Sequence, residues 1–323
     1  DIHFSQYNNA SAYVNPAFNS LFIGEWRGGL IYRNQWRTVD KPYETYYGFC
    51  DKRWEWVYDV ITAGIYVRND MSGSRNLSQT EISWALTYSR KMTDHAIAIS
   101  FNPSFNHIQL RNDLSFPDQF DLDNFQFNSS LPTNEPLPRQ SERYFAFNAG
   151  VLWSLSKDRL GAYSGIAVSY LNTPEVSFYD IEDLAFLPMK LSLHGGVAFQ
   201  LGDKLALHPS VLFSRQNRST QFIFGSWVEW VFEDDGILKG LRTGLYYRNN
   251  TNGFNEEAFF QHSDAIIVPF SVAINNSRLT VSYDFNVSPL QVASNSRGAF
   301  EISLVYIRPQ KKSRNFLTPC WMF

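Results

Sequence analysis

The residue types that carry most enzyme chemistry are thin in this chain and badly spaced for it. The histidines, His3, His95, His107, His194, His208 and His262, are scattered, and His194 alternates with Leu193 as an ordinary strand residue would. There is no Gly-x-Ser-x-Gly, no His-Glu-x-x-His and no Gly-rich phosphate loop, so no nucleophile, zinc or nucleotide site is expected. Asp118, Asp121 and Asp123 lie close together. They lack the spacing and closing Glu of an EF-hand, which leaves a solvated acidic loop as the simpler reading. The two cysteines, Cys50 and Cys320, are either separate thiols or one bridge formed in an oxidising periplasm. With no catalytic group, cofactor or metal indicated, the remaining chemistry is that of charge placement.

Those charges are positioned by a rhythm that runs almost from end to end. Leu279, Val281, Tyr283, Phe285 and Val287 fall on one side of an extended chain, and Thr280, Ser282, Asp284, Asn286 and Ser288 on the other. A strand with one apolar and one wet face suits a closed outer-membrane barrel, because only closure satisfies every backbone group inside a bilayer. No stretch reaches the about 18 apolar residues of a membrane helix. The longest apolar run, Ala265 to Ile274, has the length of a membrane strand. Aromatic residues make up 16 % of the chain, enough to furnish the girdles that anchor a barrel at both interfaces. A net charge of −3 provides no basic field for nucleic acid. The chain opens at Asp1 without an apolar leader and reads as a mature form whose export signal has been removed.

The alternation predicts an all-β, antiparallel up-and-down barrel of about 14 strands, an even number as in bacterial single-chain barrels. The strands are expected near 21–36, 42–51, 56–68, 78–91, 94–106, 142–156, 161–171, 189–201, 204–215, 219–233, 238–249, 263–274, 278–288 and 297–308. Connections alternate between tight turns, such as Asp51–Arg53, Gly202–Asp203 and Asn275–Asn276, and longer loops, the longest at 107–141. Short turns belong to the periplasm. Both termini, and both cysteines, are therefore expected there. The organisation follows as a 1–20 plug or periplasmic segment, a 21–309 barrel and a 310–323 periplasmic tail.

Side-chain parity then sorts wall from lumen. Phe22, Trp26, Leu30 and Tyr32 should face lipid, turning Glu25, Arg27 and Arg33 inward, and the same logic places Glu81, Glu229, Arg242, Arg248, Asp284 and Glu301 inside. Charges in a confined, low-dielectric space are costly unless paired, so their mixed sign points to a cross-braced or plugged interior more than to a selective pore. Asp1–Ser20 is either a plug folded into that interior or a periplasmic lead-in. The long loop carries Phe116, Asp118, Phe120, Asp121, Asp123, Phe125, Phe127, Pro132 and Glu135, more apolar surface than a solvated connection needs, and is expected to cover the mouth and contribute to partner binding. The tail runs from Lys311, Lys312 and Arg314 to Phe316, Leu317, Trp321, Met322 and Phe323; it is expected to dock on the periplasmic rim near Cys50.

Several segments, in order, resemble the PorP/SprF family of outer-membrane proteins of the type IX secretion system. They are His3-Phe4-Ser5-Gln6-Tyr7, Asn15-Pro16-Ala17-Phe18, Tyr32-Arg33-Asn34-Gln35-Trp36, Ser130-Leu131-Pro132-Thr133-Asn134-Glu135-Pro136, Leu193-His194-Gly195-Gly196, Tyr283-Asp284-Phe285-Asn286-Val287-Ser288-Pro289-Leu290 and Ala299-Phe300-Glu301, with a terminal Cys320-x-x-Phe323. Asn134 stands where the family pattern has Gly, and Trp321 where it usually has Pro. The resemblance implies a non-enzymatic role in exporting or anchoring surface proteins, often adhesins with a C-terminal secretion domain. It implies as partners that exported domain, other components of the machine, including a periplasmic ring, and outer-membrane lipid. A passive porin is the remaining reading.

Overall fold

Alternation of this kind closes on itself in the computed structural model of the chain, which describes residues 3–35, 42–72, 77–110, 119–121, 124–128, 130–131, 140–178, 185–232, 236–252, 263–288 and 297–309. Before the barrel come a short helix α1 (Ser11–Val14) and a 3₁₀ helix (Pro16–Ser20). The wall is built from β1 (Trp26–Gln35), β2 (Tyr43–Glu55), β3 (Asp59–Ser72), β4 (Leu77–Lys91) and β5 (His95–Leu110), then β8 (Ser141–Lys157), β9 (Leu160–Ser169), β10 (Lys190–Gln200) and β11 (Leu205–Gln216). It is completed by β12 (Ser219–Val231), β13 (Leu238–Asn252), β14 (Ser263–Ile274), β15 (Ser277–Asn286) and β16 (Arg297–Arg308). A small hairpin, β6 (Phe120–Asp121) and β7 (Gln126–Phe127), sits in the longest loop.

All 14 wall strands pair antiparallel with their sequence neighbours, and β1 closes on β16 from Trp26↔Arg308 to Gln35↔Ala299. Closure removes both sheet edges, so that every wall strand has a paired neighbour on each side. The expected strands are all present. Six connections at the end that also holds Trp26 and Arg308 are short, among them 158–159 and 275–276, where Asp158 and Asn275 take positive φ of 46° and 49°. Asp and Asn tolerate that region better than other non-glycine residues, which is why they punctuate tight hairpins.

The outer face is apolar, with Leu30, Ile65, Leu86, Ile99, Leu245 and Leu304 all exposed on it. Toward the short-turn end it gives way to Trp26, Trp54, Trp56, Tyr58, Trp230 and Tyr306, with Lys52 Nζ 4.6 Å from the centre of the Trp26 ring. Amphipathic rings with cations beside them form the belt expected where hydrocarbon meets head groups.

Three expectations need correction. Phe22 does not face lipid: β1 starts at Trp26, and Phe22 is buried beneath the Arg27 guanidinium, 5.0 Å from its ring centre. Glu25 is likewise outside the strand, so parity does not govern it; its carboxylate turns to Lys52 and Arg308 rather than to the lumen. Asp51–Arg53 is not a turn but part of β2, and the reversal falls at 56–58. Hydrogen bonding across the hairpin continues through Trp54↔Ile61, so the polar residues at 51–53 alternate as wall residues instead of breaking the strand.

Candidate functional site

The lumen is occupied by the segment that precedes β1. Phe4, Tyr7, Val14, Phe18, Leu21 and Phe22 are buried, and their apolar contacts include Ala98, Leu152, Leu212, Ile223 and Ile267 from strands around the wall. The local sequence supports this path. Asn15 accepts a hydrogen bond from the Ala17 N–H at 2.9 Å and Pro16 follows it, a capped start for a helical turn that points Phe18 into the barrel. The described part of Asp1–Ser20, from His3 on, thus lies within the barrel as an inserted plug segment that extends as far as Gly24.

One end of the plug is held by charge. Ser5 and Gln6 donate their backbone N–H groups to the two carboxylate oxygens of Glu301, each at 2.9 Å, and Ser5 Oγ donates to Asp284 at 2.7 Å. Arg33 lies opposite Glu301 in the β1–β16 register and spans both acids, 3.0 Å to Glu301 and 3.2 Å to Asp284. Arg248 completes the cluster at 3.0 Å from Asp284 and 2.5 Å from Asp264. Arg33, Arg248, Asp284 and Glu301 are all at most 2 % exposed. Such a group is tolerable only because each ion is both paired and hydrogen-bonded; without the plug backbone, Glu301 would lose two donors.

The other end is held by Asn15. Its Nδ2 lies 2.9 Å from His194 Nε2 and donates to the Val151 carbonyl at 3.1 Å, while Phe18 stacks on the His194 ring at 4.3 Å. Between the two, Tyr7 donates to Ser210 Oγ at 2.8 Å. Asn15 fits because β8 and β9 carry no side chain beneath it: a Cβ on Gly150 would stand 1.9 Å from Asn15 Oδ1. Gly150→Ala should therefore lower the melting temperature by an amount equivalent to about 1–3 kcal/mol of overpacking. The loss should shrink in the Asn15→Ala background, a coupling that a double-mutant cycle measures. Equal losses in both backgrounds would mean Gly150 serves the wall alone.

Beyond the Ser5–Gln6 and Asn15 contacts the lumen is cross-braced. Arg27 pairs with Asp51 at 2.7 Å and Arg68 with Glu81 at 2.6 Å, while Arg242 and Arg278 both reach Glu229, at 2.7 and 3.2 Å, with His208 at 3.1 Å. Apart from Glu25, every charge that parity turned inward is inside and paired. Sequence reasoning overlooked Asp51, Arg68, Asp264 and Arg278. Asp51, Arg68 and Arg278 sit on inward parity, and a complete parity count over strands with correct ends would have found them; Asp264 lies at a register shift between β13 and β14, where parity gives no signal. Ser5, Gln6 and Asn15 carried no such signal, since nothing in an irregular segment announces which wall it will meet.

Of the loop residues, Phe125 and Phe127 are exposed, at 81 % and 56 %, and Phe120 packs edge-on against Phe127 at 5.1 Å. Asp121 accepts from Asn124 within the hairpin. Phe116, Asp118, Asp123, Pro132 and Glu135 lie outside the described residues, as do Cys320 and the 310–323 tail. Cys50 is exposed on the outward side of β2 and has no disulfide partner among the described residues. Among the described residues no cluster of His, Cys, Asp and Glu is arranged to hold a metal.

The motifs that lay far apart in sequence thus converge: Ser5-Gln6, Asn15-Pro16, Arg33, His194, Asp284 and Glu301 are the contacts that fix the plug. Among solved structures the fold is similar to a deltaS2S3 mutant of the TodX monoaromatic hydrocarbon channel, with 12 % identity, coverage of 92 % of this chain and 94 % of that one, and a TM-score of 0.52. It is also similar to the CymD monoaromatic hydrocarbon channel, with 11 % identity, 94 % of each chain and 0.51. The toluene transporter TbuX of Ralstonia pickettii gives 9 % identity, 92 % of each chain and 0.51. At such identities the likeness is one of fold, and it places the chain among outer-membrane barrels. No curated protein sequence matches. The family model described as type IX secretion system membrane protein PorP/SprF matches residues 1–306. The chain therefore belongs to the PorP/SprF family and is an outer-membrane component of the type IX secretion system.

Proposed function

We propose that this barrel is a non-enzymatic anchor that holds exported surface proteins, recognised through a C-terminal secretion domain, at the outer membrane. The observation that carries the reading is the occupied lumen. A pore needs a continuous water path, whereas here Phe4, Tyr7, Phe18 and Phe22 fill the interior and a buried ion cluster holds them in place. A barrel closed in this way acts through its surfaces. The long-loop end, which in this reading faces outward, presents the Phe125 and Phe127 rings on a short hairpin, apolar area of the kind that marks a protein contact. The short-turn end, where β1 begins and β16 ends, would face the periplasm and the rest of the machine.

Affinity purification of the tagged full chain from cells tests this. Recovery of an exported protein bearing a C-terminal secretion domain is the expected result, and Phe125→Ala with Phe127→Ala should reduce it at least tenfold while the barrel stays folded. Recovery of periplasmic ring components alone would replace the anchor with a structural role in the machine. Unchanged cargo recovery after deleting residues 118–134 would remove the loop from the interface.

A further inference from the structure

At the short-turn end the plug leaves a cavity of about 620 Å³ between itself and the β9–β16 side of the wall. That is a volume typical of small-molecule sites, which range over about 300–1,000 Å³. Its walls are largely apolar, with Phe18, Tyr163 and Trp227 among them, and one side carries Arg242, Arg278 and Lys239. Arg278 reaches Glu229 with Nη2, but its buried Nη1 has no hydrogen-bond partner among the described residues. A buried guanidinium N–H left unmet is costly and is positioned to accept an anion.

The wall beside this cavity is thin. On β10 and β11 pairing is continuous from Lys190↔Gln216 to Gly196↔Ser210 and resumes only at Phe199↔Leu207. The interruption falls opposite Pro209, which has no N–H to give to a ladder. Val197 and Pro209, outward by strand parity, line the internal cavity, and the same two residues line a groove on the membrane-facing side. Inward-pointing Ser210 lines both as well. Gly195, outward by the same parity, lines the groove without a side chain. Lumen and bilayer are thus separated at one place by a few atoms.

We propose that this cavity binds a single-chain amphiphilic anion, its carboxylate or phosphate head at Arg278 and Arg242 and its apolar chain directed through the β10–β11 gap toward the bilayer. Charge and shape both select that class. A neutral hydrocarbon leaves Arg278 Nη1 unmet, and a small inorganic anion leaves the apolar walls and the groove empty.

The full chain in phosphatidylcholine nanodiscs should bind a dansyl-labelled undecanoate saturably. Hexadecanoate or hexadecyl phosphate should displace it, the more effective of the two identifying the head group; hexadecanol and inorganic phosphate should not. Arg278→Gln should weaken binding at least tenfold. Ala273→Trp, which fills the cavity from β14, should abolish it. In a Cys50→Ser, Cys320→Ser background, Val197→Cys alkylated with a bulky maleimide should weaken binding, and Val268→Cys, on the outer face elsewhere, should not. Heat-modifiable mobility of each variant checks that the barrel is intact. Absence of saturable binding, equal displacement by hexadecanol, or unchanged affinity in folded Arg278→Gln and Ala273→Trp proteins would overturn the site. Unchanged affinity in alkylated Val197→Cys would overturn the path of the chain.

Discussion

Deleting residues 3–20 should turn a barrel that is silent in planar bilayers into one with a stable, water-filled conductance. The wall supports itself: its ladder closes from β1 to β16 without any bond from the plug. Its outer face is apolar irrespective of the lumen, so insertion should survive the deletion. The plug supplies most of what fills the interior, including Phe4, Tyr7, Val14 and Phe18. Their removal exposes a lining of His194, Ser210, Arg248, Asp284 and Glu301, which water will enter readily. Stability should fall sharply, since Leu152, Leu212, Ile223 and Ile267, which pack on the plug, lose that cover and each large apolar side chain returned to water costs about 1.5–3 kcal/mol. The deletion protein is therefore expected to melt well below the full chain while keeping β-structure in circular dichroism. A deletion protein that folds and stays silent would mean that the inward side chains alone close the lumen.

Arg33→Ala should be the most damaging single substitution in the lumen, costing about 3–5 kcal/mol, as removal of one partner from a buried ion pair does. Arg33 is the guanidinium that spans Glu301 and Asp284, and its Nη1 also donates to Ser5 at 2.6 Å. Without it, among the described residues, Glu301 keeps the Ser5 and Gln6 N–H groups, and Asp284 keeps Arg248 and the Ser5 hydroxyl. Arg33→Lys should recover part of the loss, because an ammonium restores charge but cannot bridge two acids with a planar fork. Limited proteolysis should cut the N-terminal segment faster in Arg33→Ala than in the parent, at a rate that rises with temperature before the barrel itself unfolds. The paired change Arg33→Leu with Glu301→Leu should cost less than Arg33→Ala alone, since it removes the uncompensated charge. Equal melting temperatures and cleavage rates in Arg33→Ala and the parent would show that the plug is held by apolar packing.

The barrel itself was legible in the sequence because its cause is local. Period-2 alternation at Leu279–Val287, glycine and asparagine at the reversals, and the wet parity of Arg33, Glu229, Asp284 and Glu301 each follow from a few consecutive residues. Bilayer and backbone leave one closed solution for strands so patterned. Errors came where that local rule stops: Phe22 and Glu25 were assigned by parity although the strand begins only at Trp26. Which charges pair, and what occupies the lumen, depends instead on contacts between residues hundreds of positions apart. Gln6 with Glu301 and Asn15 with His194 are such contacts. Closure of the wall around the plug, not any spacing along the chain, places Arg278 of β15 beside a cavity. A segment without periodicity carries no record of its partners, so the plug and the site beneath it were decided only when the sheet closed around them.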